Sequence, residues 1–181
     1  MLEATSPLPS PAVLAQRVDA LVAHFEGVRT ERMVGIPMLN PVLKVEAVGF
    51  RWAEMPDDSL TPVAEGVLLT PWFMNLVRLP AKNLPHANRV ARKFVRDFGC
   101  ERFDFIGGHD DAIGYFESCA LFSPMQDFDS QARAVETAQE VLALTRPAPA
   151  VAAPAVTTKE AAPSRRAFFT LNRGADAGAV K

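Results

Sequence analysis

Apolar residues first recur at helical spacing at Leu14, Val18, Leu21, Val22 and Phe25. Ser10-Pro11 just upstream supplies an N-cap and a proline at the first helical position. The pattern predicts an amphipathic helix over residues 11–26 that Gly27 stops. Residues 34–42 carry Pro37 and Pro41 and read as loop. From Leu43 to Trp52 the period changes to two, with Leu43, Val45, Ala47, Gly49 and Arg51 on one side. Lys44, Glu46, Val48, Phe50 and Trp52 fall on the other, which predicts a strand. The run "EMPDDS" is its turn, and residues 63–70 form the next strand, antiparallel to the first. Thr70-Pro71 then resembles another helix start, so a short helix from Trp72 to Leu79, closed by Pro80, is expected.

A second helical stripe runs through Ala87, Val90, Ala91, Phe94 and Phe98, and Gly99 follows as its stop. Its other face would carry Arg89, Arg92, Lys93 and Arg96. "ERFDFIGG" and "AIGYFESCALFS" read as a hairpin-like strand pair joined by "GGHDD". Asp129 can cap a last helix that buries Ala132, Val135, Ala138, Val141 and Leu142. Residues 146–163 hold eleven Ala or Pro among eighteen and read as a linker. Bulk and charge return in "RRAFFTLNRG", which has the character of a docking peptide. The expected organisation is a loose N-terminus 1–9, a domain 10–145, the linker 146–163 and a docking segment 164–181. The fold class is α+β, with about four mainly antiparallel strands and helices packed on one face.

Composition narrows the function classes. Hydrophobic residues make up 49% and charged residues 22%, an ordinary globular balance. The net charge of −2 gives no electrostatic basis for binding nucleic acid or an anionic membrane. No apolar run is long enough to span a bilayer, and the N-terminus lacks the pattern of a signal peptide, so a cytoplasmic location is expected. Cys100 and Cys119 form no Cys-x-x-Cys pair, which argues against a thiolate metal site and for two small buried apolar groups. Phosphate-binding loops, dinucleotide fingerprints and nucleophile elbows are absent from the sequence. His24 has no His or Glu at ligand spacing, and His86 sits just before the expected basic helix. "GGHDD" clusters polar groups, but a hairpin turn favours the same residue types. A thiol-dependent enzyme using Cys119 stays open as the alternative, although the sequence places no base beside it. The basic stripe reads first as a solvated face and second as a contact for an acidic protein. Trp72, Phe73 and Met74 read equally as core or as an interface anchor.

Three segments in fixed order carry a resemblance: "VLLTPWFMNLVRLP", "GYFESCALFSPM" and "RRAFFTLNRGA". Together they resemble the HybE/HupJ/HoxT family of [NiFe]-hydrogenase assembly chaperones, nearest the HoxT branch. The matching positions are Thr70, Pro71, Trp72 and Phe73; then Ser118, Cys119, Leu121, Ser123 and Pro124; then Arg165, Arg166, Ala167 and Phe168. The resemblance covers residues 10–145 and 164–174. It implies a non-enzymatic maturation factor, without cofactor or catalytic metal, that acts in the cytoplasm on an uptake hydrogenase. The implied partners are the small-subunit precursor, held before twin-arginine export, and other hydrogenase maturation factors. The linker before Arg165 is longer than in enterobacterial relatives, and no rubredoxin-like cysteine set is attached. Under this resemblance one of Trp72 and Phe73 closes the core while the other meets the client, and Arg165–Phe169 serves as latch or client contact.

Overall fold

Six strands make one antiparallel sheet in the order β1-β2-β3-β6-β5-β4. The structure, a computed structural model, describes residues 8–53 and 61–146. Along the chain come α1 (Pro11–Glu31), β1 (Glu46–Trp52), β2 (Val63–Leu69), β3 (Met74–Pro80), β4 (Lys93–Phe98), β5 (Glu101–Asp110), β6 (Gly114–Phe122) and α2 (Gln131–Thr145). A short 3-10 turn, Ala87–Arg89, precedes β4. The "EMPDDS" turn, the linker beyond Arg146 and the terminal segment with Arg165, Arg166 and Phe168 lie outside the described residues.

The α+β class holds, with corrections. The chain has six strands rather than four, because two segments with helical signals are strands. The segment after Pro71 is β3, and "KFVRDF" is β4. In β4 the inward positions are Phe94, Arg96 and Phe98. An arginine at an inward position hides a period-two pattern, since burial of a charge needs a partner that the local sequence does not display. Helix α1 also runs through Gly27 to Glu31, its last turn supported by an Arg29–Glu26 ion pair at 2.7 Å. A helix interior tolerates one glycine at a cost of about 1 kcal/mol.

The helices do not share a face. On one face α1 packs through Leu21, with Leu14, Val22 and Phe25 beside it, against Val45, Ala64, Leu68, Val77 and Leu79. On the other face α2 buries Ala134, Ala138 and Leu142 against Val67, Leu69, Met74, Leu76, Phe98 and Phe105. Within α2, Ala138 and Leu142 are buried as the sequence predicts, whereas Ala132 is exposed and Ala134 takes the inward place. Its cap is Ser130, whose Oγ accepts from the Arg133 N–H at 3.3 Å; Asp129 instead accepts from Ser130.

The sheet curls around α2. Six strands laid flat would separate their outer edges by about 24 Å. Yet Val48 on edge strand β1 and Phe98 on edge strand β4 belong to one core cluster with α2. The end of α2 closes the curl. Arg146 donates to the carbonyls of Gly49 (2.7 Å) and Glu65 (2.6 Å) and stands over the Phe98 ring at 5.0 Å. Curvature in β1 comes from a bulge between Val48 and Arg51, where Gly49 has φ +62°. The bulge also breaks the predicted alternation: Val48 faces α2, but Phe50 and Trp52 pack with the α1 cluster. On the α1 face, Val95 and Ile106 of β4 and β5 lie beyond the reach of the helix and stay exposed.

The β4–β5 turn abuts the same closure. Gly99 has φ +64°, and a Cβ there would lie 1.8 Å from the Thr145 carbonyl oxygen, which accepts from the Cys100 N–H at 2.8 Å. Gly99→Ala is therefore expected to lower the unfolding free energy by about 1–3 kcal/mol, read by urea denaturation.

Candidate functional site

Thr70 joins β2 to β3 through a tight turn rather than starting a helix. Its Oγ1 accepts from the N–H groups of Phe73 (2.9 Å) and Trp72 (3.3 Å). Its own N–H donates to the Phe73 carbonyl at 2.9 Å. A threonine capping a helix would satisfy the same two N–H groups, so the local chemistry is shared between both outcomes. Pairing of Leu69 with Met74 and of Leu68 with Asn75 turns the chain back as a strand. Thr70 and Pro71 are buried, while Trp72 and Phe73 at the tip are half-buried. The two aromatics diverge. Phe73 packs on the α1 core and meets Phe25 edge-on at 5.6 Å. Trp72 leans edge-on against Phe73 at 5.6 Å and belongs to neither core cluster.

Three loops meet at this end of the sheet. Ser123, just past β6, donates from Oγ to the Trp72 carbonyl at 3.3 Å, and Ser123–Pro124 is a cis peptide. Asn40, buried and missed as a candidate, holds the third loop. Its N–H donates to the Pro71 carbonyl at 2.9 Å. Its Nδ2 donates to the carbonyls of Met125 (3.0 Å) and Phe128 (2.7 Å). Its Oδ1 accepts from the Val42 N–H. The only hint in the sequence is Asn before Pro in a loop, a common turn signal. Gln126 adds a bond to the Met38 carbonyl at 2.6 Å. The framework is polar and satisfied, yet the same loop exposes Val34, Met38 and Val42, at 72%, 43% and 49%. Exposed apolar groups on a rigid polar frame suit the binding of another polypeptide.

The remaining candidates lie elsewhere. Ser118 and Cys119 sit farther along β6, opposite Val77 and Leu76, and so on opposite faces of the sheet. Cys119 is half-buried against the α2 core, whereas Cys100 is exposed at the β4–β5 turn. The expectation of two buried cysteines is thus corrected, because Cys100 follows a turn glycine rather than a helix. His109 belongs to β5, paired with Tyr115, and the turn itself is formed beyond it, where Asp110 Oδ1 accepts from the Ala112 N–H at 2.9 Å. No group of three or more His, Cys, Asp or Glu gathers at metal-binding distance among the described residues.

The predicted basic face does not exist as a face. Lys93 and Arg96 point to opposite sides of β4, and Arg96 is buried. It forms a forked pair with Glu117, Nε to Oε2 at 3.0 Å and Nη2 to Oε1 at 2.9 Å. Arg78 bridges Glu117 (3.3 Å) and Glu65 (3.0 Å), and Tyr115 donates its hydroxyl to Glu117 at 2.9 Å. Burial first, and the Glu117 carboxylate second, push the Tyr115 hydroxyl far above its ordinary pKa. These groups are all buried and share the sheet face that packs on α2, on strands β2, β3, β4 and β6.

The chain is similar to several known proteins. Residues 16–171 match the family model described as "[NiFe]-hydrogenase assembly, chaperone, HybE". Protein HoxT of Cupriavidus necator is 40% identical over 74% of this chain and 77% of its own length. A probable rubredoxin, HupJ of Rhodobacter capsulatus, is 34% identical over 74% of this chain, which spans 48% of that relative. The solution structure of HybE from Escherichia coli is similar at 16% identity and a TM-score of 0.48, over 81% of this chain and 91% of that one. No helix among the described residues is long and apolar enough to cross a membrane. The family match and the identity to HoxT show that the chain belongs to the HybE family of [NiFe]-hydrogenase assembly chaperones.

Proposed function

We propose that this chaperone works without catalysis, in the cytoplasm, by holding the small-subunit precursor of an uptake hydrogenase before twin-arginine export. The contact surface is the sheet end built from Thr70–Phe73, Ser123–Pro124 and the Asn40 loop. The observation that carries this reading is the convergence of two separated motifs on one surface, tied by the Ser123–Trp72 hydrogen bond. Thr70, Pro71 and Asn40 hold the frame, and Trp72, Met38 and Val42 offer the apolar contact. Arg165, Arg166 and Phe168 supply a second contact from the terminal segment. Other maturation factors join the complex through the client.

The test is affinity capture of the tagged chain from hydrogenase-producing cells, with mass spectrometry of the captured proteins. Recovery of a small-subunit precursor that retains its signal peptide is the expected result. Recovery of the large subunit alone would overturn the choice of client, and absence of any hydrogenase component would overturn the reading.

A further inference from the structure

We propose that two copies of this chain pair along β4, edge to edge and antiparallel, with a two-fold axis at Val95. Two hydrogen bonds fix which backbone groups of β4 face outward. The Gly107 N–H donates to the Arg92 carbonyl at 3.0 Å, and the Ala91 N–H donates to the Gly107 carbonyl at 2.8 Å. Ala91 has φ +60°, and the pair Ala91–Arg92 opposite Gly107 forms a bulge where the strand begins. Beyond it the register with β5 runs without a shift from Lys93 to Phe98. Backbone groups alternate in direction along an antiparallel strand. Counted from Arg92, those of Phe94, Arg96 and Phe98 turn toward β5. Those of Lys93, Val95 and Asp97 turn away from the sheet.

The two edges of the sheet differ. Strand β1 is interrupted by its bulge between Val48 and Arg51, and Arg146 occupies the Gly49 carbonyl at 2.7 Å. Strand β4 is regular from Lys93 to Phe98, and Val95 on it is 60% exposed. A regular edge that shows an apolar residue is a template for another strand.

The side chains choose the occupant. Lys93 and Asp97 lie two positions either side of Val95, and all three are exposed on the same sheet face. Antiparallel pairing about Val95 sets Lys93 opposite Asp97 of the partner subunit and Asp97 opposite the partner's Lys93. Symmetry forms both opposite-charge pairs at once. Val95 meets the partner's Val95 at the axis. Ile106, 47% exposed and paired with Lys93, widens the apolar strip in each copy. Asp97 already holds Arg102 at 3.0 Å, but both side chains are largely exposed, and a carboxylate accepts about four hydrogen bonds. The interface is narrow, which makes the dimer reversible, of micromolar strength. Strand β4 stands three strands from β3, about 14 Å away, so each copy keeps its Thr70–Phe73 turn open. The pairing is independent of which client the protein serves.

Sedimentation equilibrium of the full-length chain at rising concentration is the test. A reversible monomer–dimer equilibrium is expected. Lys93→Asp and Asp97→Lys are each expected to weaken it about tenfold or more, because each sets like charges opposite one another twice. Mixing the two variants is expected to restore the dimer, since every Asp then faces a Lys; restoration also shows that both variants are folded. Hydrogen exchange reads the register. The amides of Lys93, Val95 and Asp97 are expected to slow as concentration rises, while those of Phe94 and Arg96, directed to β5, stay the same. A chain that remains monomeric, or a dimer that tolerates both charge reversals, would overturn the pairing. Protection of the β4 edge only in complex with a hydrogenase precursor would overturn it too and give the edge to the client.

Discussion

Glu117→Ala is expected to lower the unfolding free energy by about 3–5 kcal/mol, the largest effect of any single substitution in the charged network. The carboxylate is buried and accepts from Arg78, twice from Arg96, and from Tyr115. Removing it takes from the buried Arg96 guanidinium the two charge-assisted bonds that Glu117 accepts. The loss is large beside a total stability of about 5–15 kcal/mol for a domain. Chemical denaturation of Glu117→Ala beside Arg96→Met and the double variant Glu117→Leu/Arg96→Met provides the measurement. The double variant is expected to recover much of the loss, because an apolar pair strands no charge. A Glu117→Ala protein within about 1 kcal/mol of wild type would mean that water reaches the group and replaces the carboxylate.

Trp72→Ala is expected to weaken capture of the small-subunit precursor at least tenfold while leaving thermal unfolding nearly unchanged. A half-buried tryptophan at a hydrogen-bonded turn has the character of an interface anchor, and truncating such anchors typically costs about 2 kcal/mol or more of binding. Its neighbour behaves differently. Phe73 packs on Phe25 and the α1 core, so Phe73→Ala is expected to reduce stability first. Measuring precursor affinity and melting temperature for both variants separates the roles. Equal affinity of the Trp72→Ala and wild-type proteins would move the client surface away from this turn.

The two aromatics also show why reading the segment as a helix failed while its functional suspicion kept its interest. Helical geometry would send adjacent side chains in different directions. A two-residue turn between strands separates them as well, for another reason: Phe73 closes the turn against Thr70 just before the returning strand, and Trp72 lies inside the turn.

The sequence by itself determined the first and last helices, strands β1 and β2, and the β5–β6 pair. In those segments apolar periodicity, caps and turn residues agree, and the buried Glu65 and Glu117 each sit among enough apolar strand formers to leave the pattern legible. It also carried Thr70–Phe73 and Ser123–Pro124 as motifs, through the family resemblance, while the local signal of Thr70-Pro71 pointed to a helix that does not form. Tertiary structure decided the identity of β3 and β4. Thr70 satisfies the same N–H groups before a helix or inside a hairpin, and only pairing with β2 and β6 makes the choice. Arg96 looks like a surface residue until Glu117 arrives from a strand formed later in the chain. The meeting of Asn40 with the turn and the Met125–Phe128 loop is likewise non-local. So is the closure of the curled sheet by Arg146. Hydrogen bonds and ion pairs between distant segments decide which of two locally acceptable structures is formed, and a local pattern holds no record of them.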